Sequence, residues 1–195
     1  MPLSAPAPRK HLHTRNIICD GYEREDGLWD IEARMEDIKT YTFDNRYRGT
    51  IEPGEPLHEM YLRLTIDDDM VVQDIEAHID NHPFATCPAI APDYRKLVGA
   101  RIGLGWRRAI RDRMGGVQGC THLNELLQPL ATVAIQTMMP TLLRRKEEAA
   151  KAAKAKGETV DKTDEKRPGI IDSCHSWSSE GPVVKDFLPK HYTGK

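Results

Sequence analysis

This sequence has no excess of charge of either sign: 28 lysines and arginines stand against 30 aspartates and glutamates, a net charge of −2 over 195 residues. Proteins that grip nucleic acid or an anionic membrane surface need a basic face, so neither partner is expected. Long apolar runs are also missing. The opening stretch MPLSAPAPRKHLHTR has none that would serve as a signal peptide, and no segment reads as approaching the ~20 apolar residues of a membrane span. Cysteine is scarce, with four in the chain. In a protein expected in the reducing cytoplasm, those four are thiols or ligands and not a disulfide framework. Phosphate-loop, dinucleotide and nucleophile-elbow motifs are absent, since Gly103-Leu104-Gly105 lacks the further glycine and the preceding strand. Asp67-Asp68-Asp69 lacks the glycine and distal glutamate of a calcium loop and reads as a solvated turn.

What is present divides into two halves. Residues 1–12 read as a flexible leader and 13–145 as a single α+β domain. Asn16 to Tyr22 is rich in β-branched and aromatic residues, and from Gly27 to Ile38 polar Asp30 and Glu32 alternate with Trp29, Ile31, Ala33 and Met35 on the other face. Arg24-Glu25-Asp26-Gly27 supplies a hairpin turn. A second hairpin follows Pro53-Gly54-Glu55-Pro56, with strands His58 to Ile66 and Val71 to Ile79. The expectation is an antiparallel sheet of about four strands, covered on one face by about three helices. Residues 93–99 and 105–114 predict two short helices. A long one begins near Thr121, where Leu123, Leu126, Leu127, Leu130, Val133, Ala134 and Met138 recur every three or four positions. Pro129 and Pro140 are expected to kink or divide it. Residues 146–168 read as a charged helix extension and linker. The apolar residues Ile170, Ile171, Trp177, Val183 and Phe187 make 169–195 a segment expected to dock on the domain.

Three cysteines have a histidine within five residues: His82 with Cys87, Cys120 with His122, and Cys174 with His175. Thiolate and imidazole are preferred transition-metal ligands, which makes a metal or thiolate site the leading idea; the plain alternative is buried, inert cysteine. Cys120 follows the glycine-rich Gly115-Gly116-Val117-Gln118-Gly119 and opens the long helix, where N–H groups and the macrodipole favour a thiolate; a capped helix with a buried cysteine reads equally simply. His82 and Cys87 lie in a loop stiffened by Pro83 and Pro88, while His58 and His78 lie on adjacent strands and each alone suits a partly exposed sheet position. Cys174 and His175 sit where a tail would form either a lid or an ornament. His11-Leu12-His13 places two imidazoles on one strand face, beside an irregular terminus.

At Gly21-Tyr22-Glu23-Arg24-Glu25-Asp26-Gly27-Leu28-Trp29-Asp30-Ile31-Glu32, and at Gly119-Cys120-Thr121-His122-Leu123 with Glu125-Leu126-Leu127, the chain resembles the bacterial family catalogued as domain of unknown function 2889, over roughly residues 9–145. That resemblance implies a bacterial cytoplasmic protein with a loose association with the catabolism of aromatic or other carboxylic acids. From Leu62 to Met138 the order of elements is more distantly similar to iron–sulfur scaffold proteins of the NifU type. There the ligands would map to Cys87, Cys120 and His122. The scaffold's middle cysteine has no counterpart, and Pro88 and Pro92 interrupt the helix expected around Ala89 and Ala91.

The resulting expectation is a metal-assisted enzyme of hydrolase or lyase type, acting on a small organic or aromatic acid, ester or lactone. Cys87, Cys120 and His122 would hold a divalent zinc or iron ion, and His82 or His58 would carry the proton. Arg15 or Arg24 would hold a substrate carboxylate. The alternatives are a metal or iron–sulfur carrier with a protein partner, and a metal-free enzyme with Cys120 as nucleophile. Homo-oligomerisation stays open.

Overall fold

The computed structural model describes residues 3–155 and 167–194. The chain divides into two compact units, Met1–Arg145 and Lys146–Lys195. The first holds a four-stranded antiparallel sheet of order β1-β2-β5-β6, built from β1 (His13–Glu23), β2 (Trp29–Lys39), β5 (Pro56–Ile66) and β6 (Val72–Asn81). A small hairpin of β3 (Phe43–Asn45) and β4 (Gly49–Ile51) stands apart as a second sheet. The β1–β2 turn is the expected one: Arg24 N–H donates to the Leu28 carbonyl at 2.9 Å, and Gly27 takes φ +85°, a conformation that favours glycine.

Period-two alternation decides the two faces. On β2, Trp29, Ile31, Ala33 and Met35 are buried, and the pairing carries this stripe across the sheet. Ile31 lies between Gly21 and Leu64, Ala33 between Cys19 and Leu62, and Met35 between Ile17 and Met60. β6 adds Val72, Ile75 and Ile79 to the same core. The outer face carries a charge ladder, with Arg63 bridging Glu32 and Glu76 and Arg34 bridging Glu36 and Glu59.

The inner face is covered by a 3-10 helix (Cys87–Leu97), α1 (Trp106–Met114) and the part of α2 (Thr121–Ala155) that belongs to the first unit. The expected helix at 93–99 is therefore longer, earlier and tighter. Pro88 stands in its first turn and Pro92 inside it, and proline removes the N–H that a regular α-helix would use. Trp106 joins α1 to α2, its indole N–H donating to the Leu127 carbonyl at 3.0 Å. Leu123, Leu126, Leu127, Leu130, Ala134 and Met138 form the buried stripe of α2; each leucine and the methionine contributes roughly 1.5–3 kcal/mol on burial. Pro129 and Pro140 do not divide α2. Each leaves one carbonyl, of Glu125 and Gln136, without its intrahelical donor, and both residues are exposed where water reaches them. By length and composition α2 is also long and apolar enough to cross a membrane, which corrects the expectation that no segment comes close. Its apolar stripe is part of the core.

The second unit is described by itself. It contains a short turn at His175–Trp177, α3 (Pro182–Phe187) and a turn at Pro189–His191. Ile171 and Val184 are buried, whereas Ile170 and Phe187 are exposed. Of the charged extension and linker expected over 146–168, residues 156–166 lie outside the described residues.

α2 crosses β1 so closely at Gly21 that an added Cβ would lie 2.0 Å from Thr137 Oγ1 and 2.8 Å from Thr137 Cβ. Gly21→Ala is expected to destabilise the protein by about 1–3 kcal/mol, the usual range for overpacking. Thr137→Ala in the same chain should recover part of the loss, because the nearest atom is removed. Urea denaturation of both variants and the double variant measures this, and identical losses with and without Thr137 would exclude the contact as the cause.

Candidate functional site

The buried stripe of β2 ends in a charge. Asp37 continues the series Trp29, Ile31, Ala33, Met35 on the core side of the sheet and is 3% exposed. A carboxylate in that position is tolerated only if it is hydrogen-bonded and paired. The register provides the partners: Arg15 of β1 and His58 of β5 stand directly opposite Asp37 on its two sides. A bulge between Asp37 and Ile38 interrupts the β2–β5 pairing at this row, a place where bulges commonly re-aim a side chain.

Four donors converge on the two carboxylate oxygens. Oδ1 accepts from His13 Nε2 at 2.9 Å and Arg15 Nε at 2.8 Å. Oδ2 accepts from Arg15 Nη2 at 2.7 Å and His58 Nδ1 at 3.0 Å. An ionised carboxylate can only accept, so His58 carries its proton on Nδ1 and keeps the Nε2 lone pair free. Burial alone would raise the pKa of Asp37; the Arg15 and His13 hydrogen bonds and the Arg15 charge outweigh it and hold the group down at about 2.

The first turn of α2 closes the site from above. His122 and Glu125 are three residues apart and therefore on one helix face. The His122 ring lies over His58 with centroids 3.9 Å apart and a 36° tilt, and His122 Nε2 is 3.9 Å from Asp37 Oδ2. Glu125 pairs with Arg15 Nη1. Burial first, then the neighbouring His122, lowers His58 to about 4; burial and the Arg15 charge lower His122 as well. Two neutral imidazoles thus face an ionised carboxylate. Asp37, His58 and His122 each offer a ligand atom, and these atoms all lie within 4.8 Å of one another.

Of the residues singled out from sequence, Arg15, His58 and His122 meet here. Cys87 and Cys120 do not join them: among the described residues, the trio of Asp37, His58 and His122 is the convergent group. Cys87 begins the 3-10 helix. Cys120 is held by its backbone, its N–H donating to the Tyr94 hydroxyl at 3.0 Å, and the nearby glycines serve the joint between α1 and α2. A Cβ on Gly119 would lie 2.2 Å from the Met114 carbonyl oxygen, so the close approach is to backbone and not to a ligand. His82 follows the end of β6, and its buried Nδ1 has no hydrogen-bond partner among the described residues. Arg24 lies in the β1–β2 turn and forks onto Asp26, also reaching Asp30. That turn is at the far end of β2 from Asp37, roughly 25 Å away at ~3.3 Å per residue. Cys174 is exposed and His175 lies in the short turn of the second unit.

Asp37, Glu125 and His13 were not singled out as site residues, although His13 was noted. Asp37 had a readable signal. The alternation that identifies Trp29, Ile31, Ala33 and Met35 as core continues to 37, and an inward-facing aspartate on an apolar stripe needs an explanation. Glu125 had none, because its role depends on where α2 lands.

A family model described as "Protein of unknown function (DUF2889)" matches residues 13–136. No curated protein and no solved structure matches.

The depressed value at His58 makes a stability prediction for the metal-free protein. Between pH 6.5 and about 4 the unfolded chain binds a proton at this imidazole that the folded chain refuses, so stability falls as the pH drops through that window. The loss should be on the order of 2 kcal/mol, a discounted figure for a group that keeps some solvent access. Below about pH 4 the Asp37 contribution is lost as well, as the pH falls toward its folded value of about 2. Urea titrations at pH 7, 5.5 and 4.5 measure the slope; His58→Gln should flatten it, and an unchanged slope would show that other groups carry it.

Proposed function

For a chain that belongs to the DUF2889 family, whose description carries no activity, we propose a cytoplasmic metal-assisted enzyme of hydrolase or lyase type acting on a small organic acid, ester or lactone. Asp37, His58 and His122 hold the ion. The observation that carries this reading is the convergence of three ligand atoms within 4.8 Å, with both imidazoles neutral and the carboxylate ionised near neutral pH. Two imidazoles and one carboxylate form the set that zinc hydrolases and non-haem iron enzymes use, with coordination positions left for water or substrate. Such an ion supplies polarisation of a carbonyl or activation of water. To share the ion with Asp37, His58 would give up the Nδ1 proton that now donates to Oδ2, and His13, whose side chain is 46% exposed, stands at the solvent side within reach of a proton.

A second reading has its own support. All four acceptor positions of Asp37 are already occupied by donors, which is how a carboxylate orients an imidazole for acid/base work without a metal. The iron–sulfur carrier reading, and with it the NifU-type likeness, gains no support from a trio that contains no thiolate. The cysteine-nucleophile reading gains none either, since among the described residues no hydrogen bond reaches the Cys120 sulfur.

Elemental analysis of anaerobically purified protein, followed by zinc or cobalt(II) titration, tests the first reading. The expected result is about one ion per chain, as for a mononuclear three-ligand site, lost in His58→Ala and His122→Ala and retained in Cys87→Ser and Cys120→Ser. Loss in the cysteine variants with retention in the histidine variants would move the ion to the cysteines. A wild-type protein that takes up no ion would leave the metal-free acid/base reading.

A further inference from the structure

The trio has an occupant already. A carboxylate offers about four lone-pair positions, and those of Asp37 are filled by His13, by two arms of Arg15 and by His58 at 2.7–3.0 Å. Arg15 is the one permanent cation among these donors. Its fork takes one contact on each oxygen, the geometry in which guanidinium and carboxylate pair most strongly. An ion shared by Asp37 and His58 replaces the His58 Nδ1 proton on Oδ2 and leaves Arg15 as a second cation on the same carboxylate. Two cations on one buried carboxylate would repel at short range, so they compete for it.

The arginine also has somewhere to go. Its remaining arm, Nη1, pairs with Glu125, which lies on α2 and is about half exposed. Arg15 stands on β1, at the edge of the sheet, and its side chain is 28% exposed. Rotation about its own side-chain bonds frees the Nε–Nη2 fork without moving the backbone.

We infer that Arg15 is a displaceable fork: a divalent cation takes Asp37 from it, and the freed guanidinium, still held by Glu125, becomes the bidentate seat for a carboxylate of the substrate. This rests on the metal reading of the trio and adds the substrate class and the order of binding. The cation creates the anion site, so metal-free protein binds carboxylates poorly. By linkage, a bound carboxylate raises the affinity for the metal by the same factor as the metal raises the affinity for the carboxylate.

The test titrates cobalt(II) into the full-length wild type, Arg15→Gln and Arg15→Lys, with and without saturating benzoate, following the visible absorption of the bound ion. Removing the competing fork should tighten metal binding in Arg15→Gln by about tenfold, a modest value for a charge-assisted bidentate contact. Benzoate should tighten metal binding in the wild type and have no such effect in Arg15→Gln. Arg15→Lys keeps the charge without the fork, so it should fold like the wild type and lose most of the benzoate effect. If wild type binds cobalt and Arg15→Gln binds it no more tightly, or if benzoate acts equally on both, this inference is overturned and the metal site stands. If wild type binds no metal, both fall together.

Discussion

The arrangement depends on one ionised carboxylate placed on the apolar side of a sheet. Asp37 occupies the position that pleat geometry would give to another valine or leucine. Left alone there, it would be protonated or would open the fold, because an unpaired buried charge is far more costly than any single contact can offset. The flanking strands answer with Arg15 and His58 in the same row, and α2 answers with His122 and Glu125. Burial and electrostatics reinforce each other. The apolar surroundings that keep His58 and His122 neutral make them ligands or bases, while the guanidinium keeps Asp37 charged.

Cys120, which looks chemical in the sequence, is tied into the structure through its backbone. The glycine-rich stretch before Cys120 lets α1 and α2 join tightly. Gly119 passes the Met114 carbonyl, Asn124 donates to that same carbonyl at 2.7 Å, and the buried Tyr94 hydroxyl ties the backbone of Cys120 to the 3-10 helix. This joint sets where the first turn of α2 begins, and so where His122 meets His58. Residues 115–120 therefore help to set the position of His122 over His58.

Local periodicity by itself determined the four long strands, the turn at Arg24 to Gly27 and the helix stripe from Leu123 to Met138, because alternation and the 3.6-residue repeat are written in neighbouring residues. Residue type marked Arg15, His58 and His122 as chemically able side chains, but neither signal said that they meet. Arg15 pairs with residues 22 and 110 positions away, and His58 reaches Asp37 across 21. Those distances close only through strand register and the docking of α2, each set by the whole apolar face at once. A cysteine next to a histidine in sequence is therefore no sign that the two converge with other ligands, while an aspartate within a run of alternating charges lies at the centre of the trio. Which residues could do chemistry followed from residue type; which of them meet was decided by the packing of a helix onto a sheet.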